Sequence, residues 1–197
     1  MSAPRTLGDF LTDRSGAAAV EFTLVALVFL GLMLGIIDIS RLLWELNSAK
    51  AATRAAVRMA VVSSPVAEDL VDYDAITALG LAAGSPVPVS AGIPTYTCTG
   101  TSGSATCSTG AGDFATFDAI VQHMQGYYGR IEHQNVVVEY LPVGLGFAGN
   151  PYGPDVEPLV TVRITGVQFA PGILQAFGLD PFNLPSVASS LSGEDLA

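Results

Sequence analysis

GAAAVEFTLVALVFLGLMLGIIDI, residues Gly16 to Ile39, decides how the rest of the chain must be read. Phe22 to Ile37 is apolar apart from Thr23, and with Ala17–Val20 and Ile39 the run is long enough to cross a bilayer. A span needs about 20 residues at 1.5 Å each. Glu21 interrupts the pattern near its amino-terminal end. A carboxylate at the bilayer centre costs about 2.5–3.5 kcal/mol on insertion scales, and one this close to the end of the run costs less. Two readings stand: a shallow, snorkelling or protonated side chain, or a carboxylate that has a partner.

The helical pattern continues past the apolar run. In SRLLWELNSAKAATRAAVRMAVV, residues 40–62, apolar or small side chains recur at Leu42, Leu46, Ala49, Ala52, Ala56, Met59 and Ala60, the spacing of one helix face. The expectation is one helix over 17–62, about 70 Å long, with a transmembrane part at 17–39 and an amphipathic part at 40–62. Alanines along the second part let a neighbouring backbone come close. Lys50, Arg54 and Arg58 form a stripe at i, i+4 and i+8. Either this is a solvated or headgroup-facing surface, or it docks against an acidic surface of this chain or a partner.

What precedes the run bears on Glu21. A polar leader, MSAPRTLGDFLTDRSG, ends at Gly16, and the fifth residue after that glycine is the glutamate. This resembles the prepilin-peptidase pattern of type IV pilin-like proteins. Cleavage after Gly16 would give Ala17 a free α-amine one helical turn from Glu21, and the two charges could neutralise each other within or between subunits. Together with Gly35-Ile-Ile-Asp-Ile-Ser-Arg41 and Ala51-Ala-Thr-Arg-Ala-Ala-Val-Arg58, the stretch is similar to the TadE-like family, minor pseudopilins of tight-adherence (Flp-type) pilus systems. The resemblance covers Gly16–Val62. It implies a prepilin-type leader at 1–16, cleavage between Gly16 and Ala17, and a pilin-like fold. As partners it implies the membrane, a prepilin peptidase and other pseudopilins or pilin of the same system.

Orientation is contested. Arg5 and Arg14 precede the span, whereas Arg41, Lys50, Arg54 and Arg58 follow it, so a plain positive-inside count puts the carboxyl-terminal side in the cytoplasm. The family pattern requires a cytoplasmic leader, and large domains translocate largely regardless of charge. The expectation is therefore a bacterial cytoplasmic-membrane protein with its amino terminus inside and residues 63–197 outside.

The net charge is −10. Residues 1–62 hold six basic residues (Arg5, Arg14, Arg41, Lys50, Arg54, Arg58) and five acidic ones (Asp9, Asp13, Glu21, Asp38, Glu45), leaving −11 for residues 63–197, whose basic residues are Arg130 and Arg163. Phosphate binding needs clustered Lys and Arg, so nucleic acid is excluded as a partner of that half.

Cys98 and Cys107 flank the polar segment TGTSGSAT. A disulfide is favoured in an exported chain, with free structural thiols as the alternative; two cysteines without nearby histidines do not make a metal site.

Beyond Pro65 the patterns predict an α+β domain. Helices are expected at about 66–83 and, capped by Asp113, at about 114–127. Short strands are expected at 94–98 and 105–108 within a long loop. Further strands are expected at Asn135–Pro142, Leu159–Phe169 and Ser186–Ser192, in an antiparallel sheet of three to five strands on which the long helix packs. His123 and His133 lack a ligand motif, and Asp72 and Asp74 are too sparse for a calcium loop. Gly144-Leu-Gly146-Phe-Ala-Gly149 mimics a dinucleotide fingerprint, but Asn150-Pro-Tyr-Gly-Pro follows and offers no phosphate-binding helix. No G-x-S-x-G or H-E-x-x-H occurs, so neither an enzyme with a small-molecule substrate nor a cofactor is expected. The function classes that remain are a minor pseudopilin and an uncleaved, single-pass anchor carrying an extracytoplasmic binding domain.

Overall fold

The computed structural model describes residues 16–151 and 153–193; the expected leader lies outside them apart from Gly16. The long helix, α1, runs Ala17–Ala60. It ends two residues short of the expected boundary, ahead of Ser63-Ser-Pro65. The architecture is α+β: this helix, an antiparallel sheet and a few short helices. The described residues fall into two compact units. One comprises residues up to Leu42 with Ala170–Asp180; the other comprises Leu43–Phe169 with Pro181 onward.

The second unit holds a sheet of six strands, more than expected: β1 (Tyr96–Thr101), β2 (Ser104–Cys107), β3 (Ala111–Gly112), β4 (Val136–Leu145), β5 (Glu157–Ile164) and β8 (Val187–Ser192). Their order is β3-β2-β1-β4-β5-β8, with every neighbouring pair antiparallel. Strand alternation sorts the side chains. Tyr96, Cys98, Val136, Val138, Tyr140, Val160, Val162 and Ile164 are buried on one face. Thr99, Leu141, Arg163, Ala188 and Ser190 point to the other, exposed one. Sheets of this kind commonly have one face on the core and one in water.

Helices cover the buried face. The carboxyl-terminal part of α1 buries Ala49, Ala52, Ala56, Val57 and Ala60, and Thr53 Oγ1 lies 3.0 Å from Ser189 Oγ of β8. Helix α4 (Phe114–Gln125) buries Phe117, Ile120, Val121 and Met124. Asp113 caps it as expected, accepting from the amides of Ala115 and Thr116. Gly100 of β1 has to be glycine, because a Cβ there would run into the Phe117 ring. Tyr140 Oη accepts from the Val66 amide at 2.9 Å and thereby ties the chain after α1 to the sheet.

Three expectations need correction. The helix expected over 66–83 is two short pieces, α2 (Glu68–Val71) and α3 (Ala75–Leu79). Asp74 restarts the helix by accepting from the Ile76 and Thr77 amides, while Asp155 takes the Ala75 amide; aspartate offers the backbone an alternative to an unbroken helix. The short strands expected at 94–98 and 105–108 are present, but they extend toward each other as β1 and β2 and leave only a tight hairpin turn at Ser102-Gly103, where Gly103 takes φ 123°. The strand expected over 159–169 breaks after Ile164. Gly166 bends the chain with φ 72°, and β6 (Gln168–Phe169) pairs with β7 (Phe182–Asn183) in a separate small sheet.

Candidate functional site

Most of the candidate residues lie on α1. Ala17 is its first residue, and the Val20 amide donates back to the Gly16 carbonyl at 3.1 Å. Glu21 is exposed one turn further on. Among the described residues it forms no ion pair. The apolar side chains around and after it are bare: Phe22, Leu24, Val25, Leu27, Val28, Leu32 and Ile36 are each more than 60% exposed. This surface has no protein cover, and the helix is long and apolar enough to cross a membrane. It fits a single-pass anchor.

Two further acids on α1 are buried, and the sequence reading gave neither a role. Asp38 accepts from three consecutive amides, those of Gly172 (3.1 Å), Ile173 (2.8 Å) and Leu174 (2.7 Å). Arg41 lies beside it, Nη1 to Oδ1 3.4 Å. The carboxylate thus fastens the loop 170–180 to the helix. Glu45 is met differently. Its Oε2 accepts from Tyr128 Oη at 2.8 Å and from Arg130 Nη1 at 3.0 Å. Arg130 also donates to the Gln168 carbonyl at 2.7 Å. Burial, then the bond to Glu45, pushes the Tyr128 hydroxyl up to about 12. The available signal was an acid at each of these places in an otherwise apolar or small-residue helix; its partners are distant in sequence and could not be named.

Lys50, Arg54 and Arg58 are exposed and, among the described residues, form no ion pair. Arg54 and Arg58 rim an open groove of about 560 Å³ whose other walls include Met59, Val62, His123 and Tyr127.

Cys98 and Cys107 are bonded, directly opposite each other on β1 and β2. His133 Nε2 is 2.7 Å from Asp118 Oδ1, and its ring stacks on Phe114; His123 meets Tyr127 edge-on. Among the described residues, no group of three or more His, Cys, Asp or Glu side chains is placed to hold a metal. Buried Asp155 is satisfied within the fold, accepting from the amides of Ala75, Gly149 and Asn150.

With this geometry in view, the helix can be compared with known proteins. Residues 16–58 match the family model for TadE-like protein. No curated protein and no solved structure matches the chain. The TadE-like stretch contains Gly16, Ala17, Glu21, Asp38, Glu45, Lys50, Arg54 and Arg58. The partners of its two buried acids, at 172–174 and at 128 and 130, lie beyond it.

Proposed function

We propose that this chain is a minor pseudopilin of a Tad-type pilus, cut after Gly16 by a prepilin peptidase and used to prime, tip or regulate fibre assembly. The observation that carries the reading is the glycine–glutamate pair heading an exposed apolar helix within the TadE-like match. That match suggests a protein associated with a Tad pilus. Cleavage would place the new α-amine on the first residue of α1, one turn from Glu21. The amine has an unperturbed pKa of about 7.7–8.0, so at neutral pH it is mostly charged and supplies the carboxylate's missing partner. The Cys98–Cys107 bond supports export of the sheet-bearing part, since disulfides persist in oxidising compartments. The amino terminus is then cytoplasmic, against the plain charge count.

The stripe of Lys50, Arg54 and Arg58 serves in this reading to dock an acidic partner of the same assembly. Its support is that none of the three forms an ion pair among the described residues, and the distance from lipid: Arg54 lies about 22 Å along the helix beyond Ile39, whereas the headgroup layer adds only about 5–8 Å per side.

Amino-terminal sequencing of the membrane-extracted protein tests the cleavage. The expected first residue is Ala17. A mature chain that retains the leader would leave an uncleaved anchor as the function. Gly16→Ala should block the mobility shift of processing. Glu21→Gln should be inserted and processed yet fail to co-purify with pilus components; wild-type assembly by this variant would reduce Glu21 to a snorkelling side chain.

A further inference from the structure

The loop 170–180, A-P-G-I-L-Q-A-F-G-L-D, has no role in the cleavage and pairing reading. It carries no charged residue before Asp180, and it exposes apolar side chains: Phe177 is 70% and Leu179 44% accessible. Exposed large apolar groups on one short loop ask for a cover.

The helix against which it lies indicates what that cover is. Gly172 is beside Arg41 and Asp38, whereas Leu174 Cδ2 stands 3.6 Å from where a Cβ on Gly35 would be. The amides of Gly172, Ile173 and Leu174 all meet the Asp38 carboxylate, and from there the Leu174 side chain reaches to Gly35, three residues or about 4.5 Å nearer the middle of the apolar run. The short turn Leu174–Phe177 follows. With Ala17 at one membrane surface, Gly35 lies about 27 Å along the helix, inside a hydrocarbon core about 30 Å thick. The loop therefore sits at the edge of the lipid that the anchor itself occupies. The three amides of Gly172, Ile173 and Leu174 could not be left bare at that depth, and the Asp38 carboxylate accepts all three.

We infer that loop 170–180 is a second membrane contact, which lays Phe177 and Leu179 into the acyl–headgroup boundary beside the carboxyl-terminal end of the anchor, and that Asp38 positions it there. The occupant of this apolar surface is lipid. The inference rests on α1 being a membrane anchor but not on cleavage or on which side the leader faces. Interfacial elements of this kind bury an apolar face about 5–10 Å into the boundary.

The test uses the full chain, one copy per nanodisc, in phosphatidylethanolamine–phosphatidylglycerol bilayers. The single tryptophan is removed by Trp44→Phe, and a reporter is introduced by Phe177→Trp or, as a control on the anchor, by Leu27→Trp. Acyl chains carry a bromine label at either a shallow or a deep carbon. The expected result is quenching of the Phe177→Trp reporter, stronger with the shallow label, and of the Leu27→Trp control, stronger with the deep one. Adding Asp38→Asn should weaken quenching of the first reporter and leave the control unchanged. A quenched control with an unquenched Phe177→Trp reporter overturns the inference and leaves the anchor standing. An unquenched control overturns both. Shielding of the reporter from aqueous iodide that appears only with several copies per disc would assign the surface to a second copy of this chain and likewise overturn the lipid contact.

Discussion

Helix α1 is one continuous element set in two surroundings. From Val20 to Met33 its large side chains are exposed, and no protein covers them. From Ala49 to Ala60 it buries small ones, Ala49, Ala52, Ala56 and Ala60, under the sheet unit. Between these two parts the helix carries two buried acids, Asp38 and Glu45, and they are satisfied by different means. Asp38 takes three backbone amides of a loop; Glu45 takes an arginine and a tyrosine. Both parts are helical; what separates them is the solvent each is built for. An apolar surface that no protein covers suits lipid, where further burial gains little. A row of alanines suits close approach of another backbone in water-exposed protein.

The comparison can be broken by substitution, starting with the largest effect. Glu45→Ala removes the carboxylate from Tyr128 and Arg130. Breaking a buried pair typically costs about 3–5 kcal/mol, and because Arg130 is about half exposed the loss here should be nearer 2–3 kcal/mol. It should appear as a lowered melting temperature of the full chain in detergent. A melt equal to wild type would mean that the pair contributes nothing to the second unit. Next comes a matched pair. Ala52→Leu, at 0% exposure, should overpack the helix–sheet contact and cost about 1–3 kcal/mol, while Ala19→Leu, on the exposed part, should leave the same melt unchanged. Equal effects at the two sites would erase the distinction between the two surroundings.

Asp38→Asn should leave the melt of the sheet unit nearly unchanged. Its effect is local: the amides of Ile173 and Leu174 lose part of their acceptor, and their hydrogen exchange should speed up. Unaltered exchange there would show that the carboxylate does not hold the loop.

The smallest effect concerns pH. Burial pushes Tyr140, and burial with the Glu45 bond pushes Tyr128, up to about 12. A phenol raised above its unfolded value of about 10 contributes stability that is fully present below pH 10 and is lost as pH rises toward 12. Ultraviolet titration of the folded chain should show these two phenols ionising last. Glu45→Gln should bring Tyr128 down and leave Tyr140 where it is; a common shift of both would point to general loosening instead.

How much of this was legible beforehand differs along the chain. The long helix α1 was readable because an apolar run and a 3.6-residue period are local properties. The Asp113 cap of α4 was readable for the same reason. The helix expected over 66–83 failed at Asp74, whose carboxylate competes for the backbone amides in mid-segment. The short strands expected at 94–98 and 105–108 were found, but they run on into a tight hairpin, since serines and threonines also suit a strand whose outer face meets water. Of the candidate site, Gly16, Ala17 and Glu21 stood out by sequence spacing. The tasks of Asp38 and Glu45 did not, because an acceptor can be recognised in a sequence only if its donors are near it in the chain.

The sequence by itself determined the elements whose causes are short-range: the long helix, its change from apolar to alanine-rich, the acid five residues after Gly16, and the alternation of the main strands. Tertiary structure decided the strand order, the bonding register of Cys98 against Cys107, and the loop amides that meet Asp38 and the side chains that meet Glu45, which lie more than 80 positions away. Periodicity fixes the direction in which a side chain points from its own element. What it meets there depends on how the chain closes over long loops, and that is settled by the simultaneous packing of every element against the others.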